Sequence, residues 1–362
     1  MGGAARSFSI AEASRRWWVI LALLLAVSVA FYARRQPNSS SGAIIDGPTM
    51  GTAFRVVIVD EVDDVDAVRN AIDGDLKRIN ALMSTYDPDS ELSRFNRHRA
   101  LAPFPIAEET RQVVSIALEV WKRSDGAFDA TVGPLVALWG FGPDGRPEQV
   151  PDDIAINAAL QKVGSDKVEL TEAGLSKKHP ELQLDLSAVA KGYAVDVLAE
   201  RLDSFGFTRY LVEIGGEVRV RGEKNIGEPF RVGIERPIAG TQAVHSVLGL
   251  ASGALATSGN YRNYYERDGQ RYVHTIDPGS GRPVEHRLLS ASVQHESCAW
   301  ADAWATALMA SGERAWRMAR ENDLPVLLLS ASTDGVVEEH ISPEISKVRL
   351  AVNTTQLETE QP

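Results

Sequence analysis

The chain has 362 residues, 44% of them hydrophobic and 24% charged, which is the profile of a folded globular protein. Its formal net charge is −11; five Arg and one Glu within residues 1–36 leave −15 for the remainder, which argues against nucleic acid as a partner and would repel a bare phosphate ligand unless a cation intervened. Cys298 is the only cysteine, so an intrachain disulfide and a multi-cysteine metal site are excluded, and without an activating neighbour it reads as a small buried residue.

Residues 17–33, WWVILALLLAVSVAFYA, are an uncharged run between Arg15–Arg16 and Arg34–Arg35. At about 1.5 Å per residue such a helix spans roughly 25 Å, near the lower limit for a bilayer. Trp17, Trp18 and Tyr32 would lie at the interfaces. The segment is either an export signal, with Ser28-Val29-Ala30 as a small-residue cleavage site, or an uncleaved anchor. The anchor is the expectation, with the body on the extracytoplasmic side of an inner membrane. Residues 37–47 then form a polar tether, and the folded body is expected over 48–352, with a polar tail at 353–362.

GPTMGT leads into a strand over Thr52–Val59, with Gly47 and Gly51 letting backbone lie close to a ligand. Apolar residues at 65, 68, 72, 76, 79 and 83 predict an amphipathic helix from Asp63 to Met83, which breaks at STYDPDSELSRFN with Tyr86 at the break. There the ring either packs on the core or stacks on a flat ligand. A second amphipathic helix is predicted over Glu108–Trp121, followed by SDGAFDATVGPL, where Gly126 and Gly133 bracket Phe128 and Asp129 in a turn or ligand loop. Residues 134–164 read as an irregular excursion with a short helix, and Trp139 as exposed or as a lid.

The stretch LDLSAVAKGYAVDVLAERL, Leu184–Leu202, delivers Asp185 to a strand-to-helix turn, with Ser187 placed to cap the helix that follows. Ala188, Ala190 and Gly192 let bulk approach its first turn, where free N–H groups, the positive dipole end and Lys191 suit a phosphate; the alternative is an ordinary amphipathic helix with a solvated lysine. Short strands follow over residues 209–293, with a turn at Gly215–Gly216, a polar hairpin tip over Asn260–Tyr272, and His274 at a strand end beside the Asp277-Pro278-Gly279 turn. The seven histidines show no metal-ligand spacing. In the helix Ala299–Gly312, Asp302 and Thr306 share a face, a pair of hard oxygens that either binds a cation such as Mg²⁺ or is simply hydrogen-bonded at a helix start.

The ordered set MGT, STYDPDSELSRFN, GAFDATVGPL, LDLSAVAKGYA, IGGE, ATSGNY, HTIDPGSGRPV and ADAWATAL resembles the ApbE family, the FAD:protein FMN transferases. The resemblance implies an α+β fold of mostly antiparallel sheets with flanking helices and FAD in a central cleft, behind the N-terminal transmembrane helix. It implies a Mg²⁺-dependent transfer of FMN from FAD to a threonine of an acceptor flavoprotein, with release of AMP. Carried across, Met50, Tyr86, Ala127, Phe128, Asp129, Asp185, Lys191 and Ile276 line the FAD site, while the Ala188 carbonyl, Asp302 and Thr306 hold magnesium and His274 acts near the acceptor hydroxyl. The family's usual acceptors are membrane redox-complex subunits. Thr275 and Gln294-His295 depart from the family's more apolar pattern, and no D-x-x-T-x-A-T acceptor motif occurs in this chain. The competing readings are an FAD pyrophosphatase, with water replacing threonine, and a non-catalytic flavin-binding protein.

Overall fold

The computed structural model describes residues 42–142, 145, 147, 149–238, 243–332 and 336–351. The segment expected to anchor the chain, the part of the tether before Gly42, and the expected tail lie outside these residues. No helix among the described residues is long and apolar enough to cross a membrane.

The frame is one eight-stranded antiparallel sheet: β1 (Ala43–Thr49), β2 (Thr52–Ile58), β3 (Tyr210–Ile214), β4 (Glu217–Arg221), β5 (Ser252–Gly259), β6 (Leu288–His295), β7 (Val326–Ala331) and β8 (Val337–Ile341). The strands neighbour one another in chain order, so everything between the first and the last of them is an insertion between consecutive strands, and only the helix Pro343–Val348 and the strand Arg349–Leu350 follow the sheet among the described residues. Residues 43–47, read as tether from sequence, are instead the edge strand of this sheet, and Gly47-Pro48-Thr49 belong to it. The polar stretch PNSSSG before them hid a short alternation in which Ala43, Ile45 and Thr49 face inward. β1 and β2 close through Met50 and Gly51, at φ 48° and 73°, the positive-φ pair that a tight two-residue hairpin needs.

Period-2 burial puts Phe54, Val56, Ile58, Tyr210, Val212 and Ile214 on one face of the sheet. Four helices cover that face: α1 (Val65–Met83), α2 (Glu108–Arg123), α3 (Ser187–Ser204) and α4 (Cys298–Ser311). On the other face Val218, Val220, Leu255, Leu327 and Leu329 meet a smaller sheet built on Phe230–Glu235 and Val244–Leu250. A third cluster of Leu135, Trp139, Ile156, Tyr265, Tyr272 and Ile276 joins the 133–160 excursion to the hairpin of strands Tyr264–Arg267 and Gln270–Val273. Trp139 is therefore neither exposed nor a lid: it is 1% exposed, stacks on Tyr272 and donates its indole N–H to the Gly281 carbonyl at 2.8 Å. Its excursion contains two helices, Gly133–Leu138 and Asp153–Leu160, where the reading had one.

α3 and α4 cross almost backbone to backbone. A Cβ on Gly192 would lie 2.3 Å from the Cys298 carbonyl oxygen, so only glycine fits there. Asp196, one turn further along α3, caps α4 from outside: its carboxylate accepts the N–H of Cys298 at 2.9 Å and of Ala299 at 3.0 Å, and the Ser297 hydroxyl at 2.7 Å. Arg219 on β4 balances its charge. Elsewhere in a helix Gly→Ala stabilises by ~1 kcal/mol. At Gly192 the sign reverses, because two backbones must part; G192A is expected to lose about 1–3 kcal/mol in urea unfolding. An unchanged or raised midpoint would show that the helices separate freely.

Candidate functional site

Asp185 precedes α3, but the segment before it is not a strand as the alternation of Leu182, Leu184 and Leu186 suggested. It is extended chain held by a side chain: Asn96 accepts the Leu184 N–H and donates to the Leu184 carbonyl, both at 2.8 Å. The Asp185 N–H then reaches the Ala130 carbonyl at 2.7 Å, which fastens the 127–131 loop beside the turn. Ser187 is not the cap either. The helix begins at Ser187 itself, and the Asp185 carboxylate accepts both its N–H, at 2.9 Å, and its hydroxyl. The carboxylate thus does the capping that the serine was expected to do.

Within the loop, Asp129 is consumed internally, accepting from the N–H and hydroxyl of Thr131 and of Ser165. Phe128 is 2% exposed and part of the main core, so its ring supports the loop from beneath. Tyr86, by contrast, is 71% exposed at the end of α1, on a turn where Ser84 accepts the N–H groups of Tyr86 and Asp87. Met50 sits in the β1–β2 turn and packs on the edge of the same core.

The charged centre lies where α3, α4 and β4 meet. Lys191 Nζ is 2.7 Å from Glu217 Oε1 and 3.8 Å from Asp302 Oδ1. Asp302 is 2% exposed, and its Oδ2 accepts the Gly192 N–H at 3.1 Å. Glu217 is 3% exposed, and its Oε2 has no hydrogen-bond partner among the described residues. Burial raises the pKa of Asp302 and of Glu217 above the usual range, the Asp302 carboxylate adds to the rise at Glu217, and the Lys191 charge opposes both. Burial also works against the Lys191 ammonium, but Asp302 and Glu217 outweigh it and hold the lysine charged well beyond neutrality. Thr306, one turn beyond Asp302, contacts the Ser258 hydroxyl at 3.2 Å.

This donor set fits a small hard cation. Two carboxylates against one lysine leave a net negative charge in a dry place, and Asp302 Oδ1 is beyond hydrogen-bond distance of its nearest cation. The Ala188 carbonyl belongs to the helical turn before Gly192, whose N–H already holds Asp302. No group of three His, Cys, Asp or Glu side chains among the described residues could hold a metal alone, so a cation here relies on carbonyl, hydroxyl and ligand oxygens, as Mg²⁺ on a phosphate does.

His274 follows the strand Gln270–Val273, and its Nδ1 donates to the Asn263 carbonyl at 3.2 Å, which fixes the tautomer and leaves Nε2 as a lone pair. Burial lowers its pKa, and the charge of Lys191 lowers it further, which ties the imidazole electrostatically to the same centre. The adjoining strand Ile276–Asp277 packs beside α4, with Ile276 buried. Thr275, at a position where an aliphatic residue was expected, is anchored by its hydroxyl to Asn260 Oδ1 at 2.6 Å. A separate groove of about 470 Å³ on α2, lined by Ser115, Trp121, Ser165, Val168 and Trp300 among others, includes none of the residues expected in the site.

Glu217 and Asp196 were not singled out from sequence. Glu217 sits inside the IGGE segment, whose glycines marked only a turn.

A fixed ammonium, a helix start and a buried carboxylate–hydroxyl pair on one face, near an imidazole, are groups whose chemistry suits a phosphate-bearing ligand. The ApbE family profile matches residues 50–328. An FAD:protein FMN transferase of Vibrio cholerae is 43% identical over 327 residues, covering 90% of this chain and 96% of that protein. The solved flavin transferase ApbE from Vibrio cholerae superposes with a TM-score of 0.79 at 41% identity, covering 85% of this chain and 99% of that one. The apo flavinyl transferase ApbE of Pseudomonas stutzeri gives 0.78 at 36% identity, over 85% and 96%. The chain belongs to the ApbE family.

Proposed function

We propose that this protein is a Mg²⁺-dependent FAD:protein FMN transferase that attaches FMN through a phosphoester bond to a threonine of an acceptor flavoprotein and releases AMP. The observation that carries the reading is the meeting of Lys191 and Asp302 at the α3–α4 crossing, two chain segments that only the resemblance had joined. The threonine Oγ attacks the phosphorus of the FMN half, the bridging P–O bond of the pyrophosphate breaks, and AMP departs with the electron pair. His274 Nε2 takes the hydroxyl proton as the new bond forms. Lys191 holds the phosphate oxygens in place. A divalent cation held by Asp302, Thr306 and the Ala188 carbonyl supplies charge neutralisation that an acidic protein otherwise lacks. Met50, Tyr86 and the 127–129 loop border the flavin, with Asp185 and Ile276 contacting the rest of the dinucleotide.

The hydrophobic run before residue 34 supports an inner-membrane anchor with the catalytic body on the periplasmic side, where a membrane redox-complex subunit can be reached. Co-expression with a candidate acceptor carrying D-x-x-T-x-A-T, followed by in-gel flavin fluorescence and AMP measurement, tests the reading. Covalent flavin lost on Thr→Ala in the acceptor is the expected result. Free FMN with no labelled acceptor would make the protein a pyrophosphatase, and retained FAD without AMP a flavin carrier.

A further inference from the structure

Glu217 comes from a strand, whereas Lys191 and Asp302 come from helices, and its position is specific. Oε1 takes Lys191 Nζ at 2.7 Å, which leaves Lys191 3.8 Å from Asp302, about an ångström longer than a made ion pair. Lys191 carries one charge and faces two carboxylates, so whichever it pairs with closely is blocked for a metal. We propose that Glu217 is a positioning residue that holds the Lys191 ammonium off Asp302, so that Asp302 stays open to the divalent cation while the lysine stays beside the phosphates. The inference rests on the metal reading of Asp302 given above.

The backbone makes the arrangement stiff. Glu217 opens β4 directly after Gly215–Gly216, whose φ values of 61° and 105° favour glycine, and the Gly216 N–H is held by Glu213 at 2.7 Å. Strand pairing with β3 and β5 fixes the strand on both sides. Lys191 is one residue before Gly192, the contact point of the two helices. Neither partner can drift, so the division of the lysine between two acids is set by the fold. Loss of the Glu217 charge releases the lysine to the only other carboxylate its ammonium pairs with among the described residues, Asp302.

The test measures cation affinity without flavin: Mn²⁺ titrated into the purified protein and free Mn²⁺ read by electron paramagnetic resonance. Wild type is expected to show a site that D302A loses. E217Q is expected to bind Mn²⁺ about 10–100-fold more weakly, the range for outer-shell partners of metal ligands. The double variant K191M/E217Q is expected to bind as tightly as K191M alone, because no lysine remains to compete. E217D, whose carboxylate is withdrawn by one methylene, is expected to fall between wild type and E217Q and carries the test if the Gln variant does not fold. Wild-type affinity in E217Q, or in E217D where that variant carries the test, would overturn the proposal while leaving the metal site standing. Equal weakening in E217Q and K191M/E217Q would also overturn it, since Glu217 would then act on the cation directly. Failure of wild type to show any Asp302-dependent site would instead remove the metal reading, and this inference with it.

Discussion

Asp302→Ala is expected to lower FMN transfer by about 10³-fold or more, equivalent to ~4 kcal/mol of transition-state stabilisation, with the folded structure retained. The retention follows from the charges: Asp302 is a buried carboxylate only loosely faced by Lys191, which keeps Glu217 as its close partner in the variant. What the substitution leaves unpaired is one backbone donor, the Gly192 N–H, a loss of about 1–3 kcal/mol. Asp302→Asn keeps an acceptor for that donor but removes the charge, so it separates fold from chemistry. Loss of transfer in both variants, with the Asn protein melting close to wild type, is the expected pattern. Transfer at wild-type rate in either would remove Asp302 from the metal set.

His274→Ala is expected to slow transfer by about 10²–10⁴-fold while the dissociation constant for FAD changes little. The imidazole has one nitrogen tied to Asn263 and one without a hydrogen-bond partner among the described residues, an arrangement for moving a proton rather than for gripping a dinucleotide. The pH profile gives an independent check. Burial, reinforced by Lys191, lowers the His274 pKa, so the neutral base persists to more acidic pH than a free imidazole would. The acid limb of the transfer rate should therefore lie below about 6.5, and vanish in the Ala variant. An acid limb above that value, or weakened FAD binding with unchanged turnover, would make His274 a binding group.

The helices were legible where an apolar stripe ran at helical spacing, as in α1, α2 and α3, while α4, buried on nearly every side, was expected over Ala299–Gly312 without such a stripe. The strands after residue 209 were legible for the complementary reason, period-2 burial punctuated by glycine. The resemblance supplied what periodicity could not, the expectation that residues as distant as Ala188 and Asp302 belong together. Three features stayed hidden for physical reasons. Residues 43–47 form an edge strand whose short alternation of Ala43 and Ile45 sits between a serine-rich stretch and Gly47-Pro48, and so merged with the polar segment before it. The Leu182–Leu186 run alternates like a strand, yet its backbone is satisfied by Asn96, a partner no local pattern announces. Glu217 and Asp196 act across elements, one on a helix and one under a helix start, so each looks like an ordinary acid in its own segment.

Asp196 and the amide it caps at Cys298 are 102 residues apart in the chain. On a ribosome, α3 and β4 emerge long before α4 does, and until then Asp196 has Arg219 but none of its amide donors, while Lys191 has only Glu217. Closing so long a loop is slow relative to local helix formation, so the charged centre at the α3–α4 crossing is among the last parts of the molecule to assemble. A nascent chain halted before Trp300 would carry six strands of the large sheet and α1 to α3, without the helix that brings Asp302 to Lys191.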